Sequence, residues 1–88
     1  MPKIIISDMK KRSEFSIEAT VNIKYNPLTS WLSWYVPKKL KVIGEGVAWF
    51  CRETGLNISE IYNYDDRLLR EIRKLLMAKQ QTLDWSDE

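Results

Sequence analysis

Eighty-eight residues, 44% of them hydrophobic and 30% charged, suffice for one domain and not two, and the mixture is that of a globular rather than a disordered chain. No apolar run approaches the roughly 20 residues of a membrane-spanning helix, and a single cysteine, Cys51, excludes an intrachain disulfide framework. The net charge of +2 conceals a polarity, because residues 1–50 carry eight Lys/Arg and four Asp/Glu while residues 51–88 carry six and eight. Such a split suits a surface with one basic and one acidic side. The opening Met1-Pro2-Lys3-Ile4-Ile5-Ile6 lacks the long apolar stretch and cleavage site of a signal peptide. The expected location is therefore the cytoplasm, or a host's cytoplasm for a viral gene.

The first elements read as strands. Ile4 to Ile6 form a short apolar run. From Phe15 to Tyr25, Phe15, Ile17, Ala19, Val21, Ile23 and Tyr25 alternate with Ser16, Glu18, Thr20, Asn22 and Lys24. A period of two gives a strand with one buried and one wet face, and the β-branched residues favour it. The polar stretch between the runs, with Lys10, Lys11 and Arg12, predicts a basic hairpin tip. Residues 3–25 are thus expected to form an antiparallel hairpin.

Helices are expected over 27–81. Asn26-Pro27 caps and opens the first, with Leu28, Trp31, Leu32 and Tyr35 on one face and Pro37 ending it. Residues 38–54 read two ways. As a helix, Leu40, Ile43, Val47, Phe50, Cys51 and Thr54 make one stripe, closed by Gly55. Against it stand Gly44 and Gly46 inside the helix, each costing about 1 kcal/mol relative to Ala. The alternation of Lys39-Leu40-Lys41-Val42 also allows a third strand, and the helix is the favoured reading. Asn57 or Ser59 caps a short turn of helix. Asp65 caps the last helix, whose apolar side holds Leu68, Leu69, Ile72, Leu75, Leu76 and Leu83. An acidic tail follows at 82–88. The expected class is α+β: one domain, an N-terminal hairpin followed by three or four helices.

Chemistry finds few instruments here. The chain has no histidine, which removes the usual general base near neutral pH and the commonest metal ligand. Gly44 and Gly46 lack the third glycine of a dinucleotide fingerprint, and no Walker-type Gly-Lys-Ser/Thr occurs. Adjacent Asp65 and Asp66 point about 100° apart on a helix, so they serve capping rather than acid pairing. Cys51, on an apolar stripe, reads as a small core residue. No enzyme, cofactor or metal site is expected.

Binding remains. Val47 to Asp66 resembles a helix-turn-helix: small Cys51, Gly55 four positions on, Ile61 six after that, with Phe50, Leu56 and Tyr64 at buried positions. The resemblance implies a pair of helices near 47–66 that present Asn57, Ser59, Tyr62 and Asn63 to duplex DNA, with Lys74, Arg67, Arg70 and the Lys10-Lys11-Arg12 tip on phosphate. The leading expectation is nonetheless a regulatory protein, an inhibitor or adaptor of the small kind that phages and mobile elements encode, whose main partner is another protein. Four tryptophans exceed what so small a core hides easily. Trp34, Trp49, Tyr62, Arg67 and Arg70 are the expected contact, since exposed aromatics beside arginine make interface hot spots. A homodimer through the open sheet edge is a further expectation. Single-stranded DNA or RNA is a lesser one, from aromatics interleaved with lysines over 31–39.

Overall fold

Four consecutive antiparallel strands build one sheet in the computed structural model, which describes residues 2–28, 30–34 and 36–82. They are β1 (Lys3–Lys11), β2 (Ser16–Lys24), β3 (Lys39–Glu45) and β4 (Ala48–Cys51), neighbours in chain order. A one-turn helix α1 (Ile58–Ile61) and a long helix α2 (Asp66–Thr82) follow. The connection between β2 and β3 contains a short 3₁₀ stretch, Ser30–Trp34. Among the described residues no helix is long and apolar enough to cross a membrane.

The expected hairpin followed by three or four helices is therefore corrected to a four-stranded meander with two helices, one of them a single turn. The mixed class and the N-terminal hairpin stand. The largest change lies over 38–54, which forms a β-hairpin, so no helix-turn-helix pair exists near 47–66. The helical stripe is replaced by a period of two: Leu40, Val42 and Gly44 face inward and Lys39, Lys41, Ile43 and Glu45 outward. Gly46 supplies the reversal. Its φ of 65° is the only positive one in the two-residue link between Glu45 and Ala48, as a type II′ turn requires. Gly55, expected to cap a helix, instead closes a tight turn by donating its N–H to the Cys51 carbonyl at 2.8 Å. The first expected helix shrinks to the 3₁₀ stretch, with Leu28, Trp31 and Trp34 exposed. Tyr35, Leu83 and the tail beyond Thr82 lie outside the described residues.

In β2, Ile17, Ala19, Val21 and Ile23 are all buried, while Phe15 sits exposed at the hairpin tip. The register sets Ile4 opposite Ile23 and Ile6 opposite Val21 on β1, and Val42 opposite Ala19 and Leu40 opposite Val21 on β3. Side chains directly opposite one another share a face, so these residues make a continuous apolar surface. Leu68, Leu69, Ile72 and Leu76 of α2 cover it, at the helical spacing that keeps them on one side. Asp65 starts that helix as expected, its Oδ1 accepting from the N–H groups of Arg67 at 3.0 Å and Leu68 at 3.2 Å. Asn57 starts α1 by accepting from Ser59 N at 2.9 Å, while Glu60 Oε2 accepts from Asn57 N at 3.0 Å, completing a capping box.

The register of β1 slips between Ser7 and Lys10, where Asp8 takes a φ of 53°. Asp tolerates this left-handed conformation better than most residues. The bulge resets which side chains face outward, and returns Lys10 to a position opposite Glu18 on the wet face.

Tyr62 lies at the base of the helical layer with no exposed surface. Its hydroxyl has no hydrogen-bond partner among the described residues. Burial, and to a smaller degree the neighbouring Tyr25 and Cys51, push its pKa well above the ordinary 10.0. The folded chain thus retains this proton at pH values where the unfolded chain has released it. Below pH 10 the two states hold equal protons here, so stability is flat. Above it, stability falls by up to about 1.4 kcal/mol per pH unit from this group. Tyr62→Phe should remove that part of the alkaline decline and, because an unsatisfied buried hydroxyl costs about 1–3 kcal/mol, should not destabilise at pH 7. Urea denaturation at pH 7 and pH 11 checks both; an unchanged alkaline slope in the variant would reject the assignment.

Candidate nucleic-acid interface

The helices cover one face of the sheet. The other carries the outward residues of each strand, and the register places them. Lys3 stands opposite Lys24, Ser7 opposite Thr20 and Lys10 opposite Glu18. Across β2, Thr20 stands opposite Lys41 and Asn22 opposite Lys39. Ile43 then pairs with Phe50 on β4, and Arg52 follows that strand. The face is thus polar in its middle, cationic along one side and apolar at Ile5, at Ala48 and at the half-buried Ile43–Phe50 pair.

Its one central carboxylate is already engaged. Glu18 receives Lys10 Nζ at 3.4 Å and Arg52 Nη1 at 3.5 Å. Lys3, Lys24, Lys39 and Lys41 have no carboxylate partner among the described residues. Opposed side chains lie about 5 Å apart and alternate residues of a strand about 7 Å. Folding therefore gathers on one face four lysines that have no carboxylate partner among the described residues.

Three hollows open on this face and all include Arg52. One of about 380 Å³ lies among Asp8, Lys10, Glu18, Thr20, Lys41 and Arg52. A second, about 580 Å³, is bounded by Lys39, Lys41, Arg52 and Glu53. The third, about 330 Å³, has the Ile43–Phe50 pair with Arg12, Glu45 and Arg52 around it.

The residues expected from the sequence fare unevenly. Trp34 is 85% exposed, but Trp49 at 2% and Tyr62 at 0% are core residues and leave the expected protein contact. Arg67 and Arg70 are exposed on α2, where Arg70 borders a shallow hollow with Asp66, Leu69 and Arg73. Lys74 is exposed on the same helix. These three belong to α2, whereas Trp34 belongs to the β2–β3 connection. Of the expected basic tip, Lys10 and Lys11 lie within β1, opposite Glu18 and Ile17, and Arg12 alone belongs to the turn. Asn57 spends its side-chain oxygen on the α1 cap, Ser59 is half-buried inside that single turn, and Asn63 is exposed beyond it. A four-residue helix cannot lie along a groove as a reading helix does.

Lys3, Lys24, Lys39, Lys41 and Arg52 were not among the expected site residues. The signal for two of them was present: once Lys39-Leu40-Lys41-Val42 is taken as a strand, both lysines must share its wet face. Neither a family model, nor a curated protein, nor a solved structure matches this chain.

Proposed function

We propose that this domain is a non-enzymatic nucleic-acid-binding module that holds phosphates on the uncovered face of its sheet. The observation that carries the reading is the collection of Lys3, Lys24, Lys39 and Lys41 on that face without carboxylate partners among the described residues, while Glu18 is occupied by Lys10 and Arg52. Phosphate contacts by Lys and Arg, with release of condensed counterions, supply most non-specific affinity for nucleic acids. Ser7 and Asn22, half-buried between the cations, add neutral donors of the kind that also reach phosphate oxygens.

The test is a fluorescence-anisotropy titration of a labelled 20-nucleotide strand at several salt concentrations. Affinity should fall with salt, by about 0.7 in the log–log slope for each phosphate engaged on a single strand. Lys39→Glu with Lys41→Glu should weaken binding by tenfold or more at low salt and flatten the slope by roughly 1.4. Binding that ignores this double reversal would place the nucleic acid elsewhere, and no binding at low salt would reject the reading.

A protein contact is the second reading, and one observation favours it. Leu28, Trp31 and Trp34 are all exposed along the β2–β3 connection, with Trp34 nearly as open as a free side chain. Neighbouring exposed aromatics are the usual material of an interface centre.

A further inference from the structure

We infer that the nucleic acid held by the sheet is single-stranded, with one base seated on the Ile43–Phe50 pair and its backbone running past Arg52 onto Lys41 and Lys39. This rests on the proposed nucleic-acid reading and adds the form of the ligand and its placement.

Width argues against a duplex. Neighbouring strands are about 4.8 Å apart, so the outer two of a four-stranded sheet are roughly 14 Å apart between backbones alone. The major groove is only about 12 Å wide and admits a helix or a two-stranded ribbon. The whole face therefore cannot enter a groove. A single strand has no such limit, because it can lie across the sheet with its bases turned toward the protein.

The hollows then divide the work. The one at Ile43 and Phe50 has an apolar floor with exposed charged groups around it, and its roughly 330 Å³ falls at the small end of ligand pockets. Glu45 borders it, which disfavours phosphate there. Arg12 and Arg52 border it too, and guanidinium planes stack on bases as aromatic rings do. On the far side of Arg52 the hollow shared with Lys39 and Lys41 is cationic on balance, three cations against the single carboxylate of Glu53. An apolar seat with guanidinium walls next to a row of ammonium groups matches a base followed by its phosphates. A purely acidic segment, such as poly-glutamate, would leave the apolar seat unused.

The experiment measures anisotropy with the full chain and four labelled probes: a 20-nucleotide mixed-sequence DNA strand, the RNA of the same sequence, the corresponding 20-base-pair duplex, and an abasic strand of equal length. At least one of the two base-bearing strands should bind on the order of tenfold more tightly than the abasic strand and the duplex, as expected of base stacking. Phe50→Leu keeps the apolar floor and removes the ring. It should erase the advantage over the abasic strand and leave the salt slope unchanged. The DNA and RNA arms decide between the two sugars. If the abasic strand or the duplex binds as well as the base-bearing strands, the inference fails and the cationic-face reading survives. Equal competition by poly-glutamate would make the partner an acidic protein and also overturn it. If no probe binds at low salt, both fall together. The comparison of probes on the unaltered chain stands even if the Phe50 variant folds poorly.

Discussion

Trp49→Ala should cost this domain about 3–5 kcal/mol, whereas Trp34→Ala should cost almost nothing. The two indoles sit at opposite extremes, 2% exposed against 85%. Truncating a buried Trp loses its transfer free energy and leaves a cavity, together about 3–5 kcal/mol. A chain of 88 residues is expected to have a margin of only about 4–13 kcal/mol. Trp49→Ala should therefore shift the urea midpoint far downward and approach complete unfolding if the margin is at the lower end. Trp34→Ala should stay within about 0.5 kcal/mol of the parent, as exposed substitutions do. The folded Trp34→Ala chain is also the right material for asking whether the β2–β3 connection holds a protein partner. A Trp49→Ala chain as stable as the parent would show that the indole does not occupy the core.

Gly44→Ala should rank second, and the reason is the same ring seen from the facing strand. Gly44 stands directly opposite Trp49, and a Cβ there would come within 2.6 to 2.8 Å of three carbons of the indole. The ring cannot step aside cheaply, because it is buried between the sheet and the helical layer. Overpacking of this kind costs about 1–3 kcal/mol and occasionally more. The decisive measurement is a double-mutant cycle with Trp49→Leu, which vacates the space the new methyl needs. The two substitutions should be less than additive by at least about 1 kcal/mol. Strict additivity would mean that Gly44 matters for its backbone and not for the room it leaves.

That contact also explains what the sequence did and did not reveal. The hairpin of β1 and β2 was legible because Ile17 to Ile23 alternate without interruption and because Ile4 and Ile6 supply a matching apolar edge. The last helix and both caps were legible because Asn57, Asp65 and the Leu68–Leu76 spacing are local signals. Residues 38–54 misled because Leu40, Ile43, Val47 and Phe50 satisfy a helical spacing over the whole stretch, whereas the competing alternation of Lys39-Leu40-Lys41-Val42 is only four residues long. The tie is broken by a tertiary fact: a glycine that would cost a helix about 1 kcal/mol is needed here to receive an indole from the next strand. No local pattern states that. With the strand misassigned, Trp49 was expected on an outer face, and Lys39 and Lys41 could not be aligned with Thr20 and Asn22 of β2. The candidate interface was thus hidden by a single error of period, since the face exists only once β3 is laid beside β2.

The order of elements along the chain has a consequence for synthesis. All four strands precede α2, and each pairs with the strand made just before it. Every hydrogen-bonded partner is therefore at hand as soon as its mate emerges from the ribosome. The helix that covers the apolar face comes last, and its 17 residues take about 1–3 s to translate at ordinary elongation rates. For that interval the nascent sheet displays Ile17, Val21, Val42 and their neighbours to the cell, and it is during those seconds that a chaperone would find this protein.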